Sequence, residues 1–229
     1  LVGAGGSVQA FEPIPRMAEG MRAAMAGEAG LGNINLRQFA LSEAPGTAEF
    51  VLVNEAPGYS GLRERQYDMD VTTQRIVVEL RTLDSFLPEL PRIRFLKVDC
   101  EGAETLVLRG ARGLLARDRP VVGFECGDAA LSNYDHDAGD LFDVLHEAGY
   151  RIESITRVAH DRAQFVARRA GDGLMEVAAG QPFEIGRQGL CRADDGALQC
   201  PHEEAEGDDH DDREGGAGQH ELVQRGGAD

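Results

Sequence analysis

Short apolar runs alternate with amphipathic stretches along roughly the first 150 residues of this chain. Runs of strand length, bounded by Gly, Pro, Asn or Asp, predict β-strands, and apolar positions recurring every three or four residues predict helices. The predicted strands cover residues 8–12, 34–41, 47–53, 76–80, 95–98, 119–125, 151–158 and 163–168. The predicted helices cover residues 15–28, 83–90, a stretch from just after Gly102 to about 116, and 141–148.

This alternation favours an α/β fold, and the last two strands, with no helix predicted between them, indicate an antiparallel edge or hairpin. Residues 54–73 and 128–140 are predicted loops. Residues 1–170 therefore form one predicted α/β domain, and 171–190 are a poorly defined extension. Residues 191–229, rich in Gly, Asp, Glu and His, are predicted to be a disordered acidic tail, because they bury too little apolar surface to offset their ordering entropy.

Charge is distributed unevenly and argues against two classes of partner. The net charge is −17, and residues 191–229 hold 12 acidic against 3 basic residues. No basic patch of the kind that binds nucleic acid is visible, and a negative surface repels phosphate backbones and anionic lipids. No apolar run reaches the roughly 20 residues of a membrane span.

The cysteine pattern indicates a reducing compartment. Cys100, Cys126, Cys191 and Cys200 include no CxxC pair and suggest no disulfide framework. Free thiols and a cytoplasmic location are therefore predicted.

The most informative segment is Arg-Phe-Leu-Lys-Val-Asp-Cys-Glu-Gly-Ala-Glu, residues 94–104. A buried strand is predicted to end in the carboxylates of Asp99, Glu101 and Glu104, at the edge where open α/β sheets bind ligands. The carboxylates suit a general base, a helix cap or a divalent metal, although three at one junction do not all converge. Lys97 is the only lysine of the chain. It is predicted to lie on the same side of the strand as Asp99, as a buried amine in a structural ion pair or as a proton acceptor.

Other polar residues also follow predicted strands. Glu12 ends the first visible strand, where nucleotide-binding α/β folds place a carboxylate that accepts hydrogen bonds from ribose hydroxyls. Glu125 ends a later strand, so Glu12, Asp99 and Glu125 together predict an acidic rim suited to a ligand with hydroxyls and a positive centre. His136, in the following loop, is a candidate base or a solvated loop residue.

Several segments occur in an order and at spacings that resemble one known family. They are Val-Gln-Ala-Phe-Glu-Pro (8–13), Val-Glu-Leu-Arg-Thr-Leu-Asp (78–84), Phe-Leu-Lys-Val-Asp-Cys-Glu-Gly-Ala-Glu (95–104), Leu-Arg-Gly-Ala (108–111), Arg-Pro-Val-Val-Gly-Phe-Glu (119–125) and Ala-Gly-Tyr (148–150). Over about residues 7–168 the chain resembles the FkbM-type S-adenosylmethionine-dependent methyltransferases.

The resemblance implies a class I, Rossmann-like methyltransferase fold: a seven-stranded, mostly parallel sheet with one antiparallel strand. It implies methyl transfer from S-adenosylmethionine to a hydroxyl of a small-molecule acceptor such as a sugar, glycolipid or polyketide-like product. No residue is assigned as a metal ligand. Cofactor-binding positions would be Phe11 and Glu12, near the ribose, and Ala40 and Leu41, near the adenine. The methyl-transfer mouth would hold Lys97, Asp99, Glu101 and Glu104, and acceptor contacts would come from Tyr59, Glu125 and His136.

Two departures from the family pattern set further expectations. Cys100 stands where the family more often has an aliphatic residue. The family's first strand and glycine-rich loop would precede residue 1, so the chain is expected to be N-terminally incomplete and to bind cofactor poorly or not at all. Its oligomeric state is not predicted.

Two other function classes stay open at this stage. A nicotinamide-dependent oxidoreductase would use Glu12 in the same way, although residues 97–104 favour methyl transfer. A degenerate, non-catalytic methyltransferase fold would instead use its acidic tail to recruit a basic partner.

Overall fold

The computed structural model describes residues 2–3, 5–28, 30–154, 159–168, 174–179, 192–194 and 197–199. The chain divides into two compact units, Leu1–Phe183 and Glu184–Asp229. In the first unit the strands are β1 (Val8–Phe11), β2 (Ile34–Arg37), β3 (Ala40–Leu41), β4 (Gly46–Val53), β5 (Thr73–Arg81), β6 (Phe95–Val98), β7 (Val121–Cys126), β8 (Arg151–Ser154) and β9 (Leu174–Ala179). The helices are α1 (Pro15–Gly27), α2 (Glu104–Arg109), α3 (Arg112–Asp118), α4 (Asp128–Leu131), α5 (Ala138–Glu147) and α6 (Arg162–Arg168), with 3-10 turns at Pro57–Tyr59 and Leu83–Phe86.

The largest sheet combines one parallel pair of strands with an inserted antiparallel strand. Its order is β6-β7-β9-β8, with β6 parallel to β7 and β9 antiparallel to both of its neighbours. A second sheet pairs β1 with β2 in parallel, and a third has the order β3-β5-β4. The fold is therefore mixed α/β, as predicted.

The described strands do not form the single seven-stranded sheet that the resemblance implies. Each of β1 and β6 pairs with one described strand, β2 and β7 respectively. No described strand pairs with their other edges, so the described residues do not join the sheets of β1 and β6 into one.

Helices cover one face of the largest sheet, and this face carries the main core. Side chains alternate between faces along a strand, so Val98, Val122 and Phe124 point to the covered side and are at most 1% exposed. Leucines of α2, α3 and α5 pack in the same cluster: Leu108, Leu114, Leu115, Leu141 and Leu145. The opposite face bears Phe95, which is 46% exposed, so the prediction that β6 is a buried strand was wrong for this face.

One predicted strand is a helix. Residues 163–168 lie in α6, which begins with a capping box: Asp161 Oδ1 accepts from the Gln164 amide, and Gln164 Oε1 accepts from the Asp161 amide. The partner of β8 is therefore β9, beyond this helix, and the predicted final strand pair without an intervening helix was wrong.

Other predicted elements differ in their limits. The strand predicted over 34–41 is two strands that pair with different neighbours, β1 and β5. The helix predicted after Gly102 is divided into α2 and α3, with Gly110 at the break, where a side chain would overlap the Ser42 carbonyl oxygen. The helix predicted over 83–90 contracts to a 3-10 turn, and the loop predicted over 128–140 contains α4 and the start of α5.

In the second unit, Arg192–Asp194 and Ala197–Gln199 form a two-stranded antiparallel sheet within the segment predicted to be disordered. The rest of residues 191–229, including Cys191 and Cys200, lies outside the described residues. Strand β9 lies within the predicted extension 171–190, most of which is also outside the description. Within the described parts of the chain, no helix combines the length and apolar character needed to cross a bilayer.

Candidate active site

A tight acidic turn, residues 99–104, connects β6 to α2 and is called the acidic turn below. Glu101 and Gly102 both adopt left-handed backbone conformations, with φ of 52° and 98°. Glycine adopts this conformation freely, but a glutamate there is uncommon, and such backbone strain concentrates at functional sites. Contacts within the turn and from neighbouring loops hold it in this conformation.

Glu104 supplies one set of these contacts from inside the turn. Its side chain is 2% exposed; Oε1 accepts from the Cys100 amide at 2.6 Å, and Oε2 accepts from the Gly102 amide at 3.0 Å. Burial, the dominant effect, raises the pKa of this carboxyl to about 7, while the amides oppose the rise. Of the predicted catalytic carboxylates, Glu104 is thus the one committed to shaping the turn.

Glu101 faces the loop between β4 and β5. Its Oε2 forms an ion pair with Arg65 Nη1, and both side chains are less than 20% exposed. The Arg65 guanidinium also lies over the ring of Tyr59, 4.7 Å from its centroid. Burial raises the pKa of Glu101, and the charge of Arg65 opposes this rise. The structure therefore joins the predicted acceptor residue Tyr59 to the acidic turn through an arginine.

Lys97 and Asp99 form the ion pair favoured by the sequence, with Nζ 2.8 Å from Oδ2. The lysine side chain is 57% exposed, so the prediction of a buried amine was wrong. It was wrong because Lys97 lies on the same face of β6 as Phe95, which is itself 46% exposed. An exposed pair of this kind contributes at most about 1 kcal/mol to stability.

His136 contacts the acidic turn from the loop that precedes α5. Its Nε2 lies 3.0 Å from the Gly102 carbonyl oxygen, which can only accept, so Nε2 donates. The ring also packs against Tyr134, with centroids 5.0 Å apart. With Nε2 engaged in this way, His136 supports the turn.

The two loops predicted to surround the mouth meet each other beside the turn. Asn133 Nδ2 donates to the Glu64 carbonyl oxygen at 2.6 Å, and Arg63 lies over the Tyr134 ring at 5.9 Å. Residues from the loops 54–73 and 128–140 therefore enclose the acidic turn from two sides.

Glu125, near the end of β7, is partly buried, and its charge raises the pKa of Glu101, as does that of Asp99. Of the predicted acidic rim, the structure therefore brings Asp99 and Glu125 together, around Glu101. Among the described residues, no group of three His, Cys, Asp or Glu side chains is arranged to hold a metal ion.

The predicted cofactor residues lie around the end of β1 and in β3. Glu12 is half-buried; Oε1 accepts from the Ile14 amide at 2.7 Å, and Oε2 accepts no hydrogen bond from any described residue. Burial, only partly offset by this amide, raises the pKa of Glu12. A carboxylate with one oxygen anchored and the other unengaged fits the recognition of a ribose hydroxyl.

The apolar residues predicted at the cofactor site belong to the core. Phe11 packs against the rings of Phe39 and Phe86, with centroids 5.6 and 6.0 Å away, and Leu41 contacts the same cluster. Ala40 is buried in a second apolar cluster that also contains Ile14, next to Glu12, and Ala103 of the acidic turn. This second cluster is the physical link between the end of β1 and the acidic turn.

Arg65 is the residue of this site that sequence reasoning missed. It lies in a polar loop and is one of 23 basic residues, so no local signal distinguished it from solvated arginines. Its role depends on Glu101, 36 positions later in the chain.

Comparison with known proteins assigns the family. The sequence profile described as "Methyltransferase FkbM domain" matches residues 1–152. The chain therefore belongs to the FkbM methyltransferase domain family.

The chain is also similar to the crystal structure of methyltransferase FkbM from Methylobacillus flagellatus KT, with 15% identity and a TM-score of 0.45. The match covers 76% of this chain and 36% of the other, so the chain spans about a third of that protein's length. No curated protein matches this chain.

Proposed function

We propose that this protein is an S-adenosylmethionine-dependent O-methyltransferase whose acceptor is a hydroxyl of a sugar, glycolipid or polyketide-like small molecule. The observation that carries the proposal is the acidic turn at the C-terminal end of a parallel strand, enclosed by two loops that carry Tyr59 and His136. In α/β sheets this end of the strands is where ligands bind. Family membership favours methyl transfer over the nicotinamide-dependent alternative.

Glu12 is the residue that would hold the ribose hydroxyls of the cofactor, through Oε2, which accepts no hydrogen bond from the described part of the chain. When bound, S-adenosylmethionine supplies a methyl group activated by a positive sulfonium. The remaining tasks of the protein are to align an acceptor hydroxyl and to remove its proton.

Glu101 is the proposed proton acceptor. Its Oε2 is paired with Arg65, which leaves Oε1 to take the proton of an acceptor hydroxyl. Asp99 is the second candidate, but its Oδ2 is paired with an exposed lysine on the outer face of the sheet. Tyr59, 39% exposed beside Arg65, offers a ring on which a sugar can stack.

Calorimetric titration of S-adenosylmethionine tests the cofactor assignment. The full chain is compared with Glu12→Ala and with Glu19→Ala, which removes an exposed carboxylate from α1. We expect weak binding by the parent chain, which Glu12→Ala reduces further and Glu19→Ala leaves unchanged. Equal binding by all three proteins would refute the role of Glu12, and binding of NADH in place of S-adenosylmethionine would favour the oxidoreductase.

Methyl transfer to a panel of hydroxyl acceptors tests the proton acceptor. Glu101→Gln is isosteric and cannot accept a proton, so we expect kcat to fall about 100-fold or more. Asp99→Asn is the matched control and should change kcat far less. A larger loss in Asp99→Asn than in Glu101→Gln would transfer the role to Asp99.

A further inference from the structure

Arg65 connects a surface loop to the acidic turn by two contacts at once. Its guanidinium is paired with the Glu101 carboxylate and lies 4.7 Å from the centroid of the Tyr59 ring. The Arg65 side chain is 19% exposed although it comes from a polar loop, so most of it is removed from water. An arginine that served only to keep the loop hydrated would leave its guanidinium in water.

The surroundings of Glu101 disfavour its charged form. Its side chain is 18% exposed, and the carboxylates of Asp99, at the end of β6, and Glu125, on β7, act on it. Arg65 supplies the positive charge in direct contact. Other titratable groups near this turn are Tyr67 from the same loop as Arg65, and Cys100 and Glu104 within the turn. From the loop before α5 come His136, on the Gly102 carbonyl, and Tyr134.

The backbone of Glu101 is itself in an unfavourable conformation. Its φ of 52° is unfavourable for a residue with a side chain. The ion pair with Arg65 fixes the direction in which this strained residue presents its carboxylate. Loss of the pair would free the side chain to turn away from the mouth.

We propose that Arg65 is the positioning residue of the transfer site: it keeps the Glu101 carboxylate ionised and aimed into the mouth between the two loops. This inference rests on the proposed function, in which Glu101 accepts the acceptor's proton. A protonated carboxyl cannot accept a further proton, and the charge of Arg65 opposes the rise that burial gives to the pKa of Glu101. The planar guanidinium is required to pair with Glu101 and stack on Tyr59 simultaneously, which an ammonium group cannot do.

The first test needs no catalysis. The carboxyl carbon of Glu101 is followed by 13C NMR through a pH titration of the full chain, and its signal is identified by its loss in Glu101→Gln. We expect the titration midpoint to rise in Arg65→Gln. It should stay near the parent value in Arg65→Lys, which keeps the charge, and in Arg75→Gln, which removes an exposed arginine paired with Glu49 and Glu64. An unchanged midpoint in Arg65→Gln would overturn the proposal.

The second test is the pH profile of kcat/KM for methyl transfer. In Arg65→Gln we expect the acidic limb of the profile to move to higher pH and its plateau to fall about 100-fold. The plateau falls because the Glu101 carboxylate is no longer held in position for the acceptor hydroxyl. Arg65→Lys should restore the position of the limb but only part of the plateau. A plateau that falls while the limb stays in place would show that Arg65 is only structural, and would overturn the proposal.

The two tests separate this inference from the proposed function. If the parent chain neither binds S-adenosylmethionine nor transfers a methyl group, the proposed function fails, whereas the NMR titration still decides whether Arg65 controls the charge of Glu101. Should Arg65→Gln fail to fold, Tyr59→Leu provides a second variant. It removes the ring beneath the guanidinium and leaves both charges, so a small rise of the Glu101 midpoint is expected, and no change would count against the proposal.

Discussion

Replacing Glu104 by glutamine should remove a pH dependence from the stability of the protein. Glu104 is 2% exposed, and burial raises the pKa of its carboxyl from 4.5 to about 7. The folded state therefore binds this proton more tightly than the unfolded state does. The resulting stabilisation is fully present below about pH 4.5 and is lost as the pH rises through about 7.

The magnitude follows from the difference between the two pKa values. A rise from 4.5 to about 7 corresponds, at about 1.4 kcal/mol per unit, to about 3 kcal/mol of free energy of unfolding. The amides of Cys100 and Gly102 favour the charged form and already oppose the rise. Glutamine has the same shape and cannot ionise, so its stability should not change with pH at this position.

Urea unfolding at pH values between 4 and 8.5 measures the effect. The chain contains no tryptophan, so far-UV circular dichroism is the appropriate signal. Between pH 4.5 and 8 we expect the free energy of unfolding of the parent to fall by about 3 kcal/mol relative to that of Glu104→Gln. Glu147→Gln, at a side chain that is 70% exposed on α5, should follow the parent at every pH.

Two results would refute the reasoning. If the free energies of unfolding of the parent and Glu104→Gln differ by the same amount at every pH, the hydrogen bonds from Cys100 and Gly102 fully offset the burial of the charge. A shift in favour of the parent as the pH rises would mean that these amides hold Glu104 ionised in the folded state.

Three further predictions concern the elements around the site. Gly102→Ala should destabilise the protein by about 2 kcal/mol or more in urea unfolding, because φ is 98° and a side chain would overlap the Ala130 carbonyl. The control Gly20→Ala, in open space on α1, should be neutral or stabilising. Asp84→Asn should cost about 1 kcal/mol by the same measurement, since an amide cannot match both of the carboxylate's bonds to the first turn of α3, and an unchanged midpoint would contradict this. Asp161→Ala should cost about 1 kcal/mol and increase hydrogen exchange in α6, and exchange equal to that of the parent would contradict the capping assignment.

Much of the first unit was predictable from local pattern. The strands β1, β4, β6 and β7 and the helices α1 and α5 lie within two or three residues of their predicted limits, because apolar periodicity reports burial directly. The error at α6 was avoidable. The spacing from Asp161 to Gln164 matches a capping box, but the apolar residues that follow suggested a strand.

The candidate site was predictable only in part. The acidic turn was visible because its carboxylates are close together in the chain, and the pairing of Lys97 with Asp99 followed from strand alternation. The separate tasks of Glu101 and Glu104 were not visible. They depend on which carboxylate meets the backbone amides inside the turn and which meets Arg65 across it.

The sequence by itself determined the α/β class, the acidic turn at the end of β6 and membership of the FkbM methyltransferase domain family, because each depends on residues within a short window or on ordered motifs. Tertiary structure decided that β9 inserts between β7 and β8, that one face of β6 is open, and that Arg65 reaches Glu101. These features depend on which distant segments pack together. Local propensity contains no information on that choice, since the free energy that selects it comes from contacts between residues far apart in the chain.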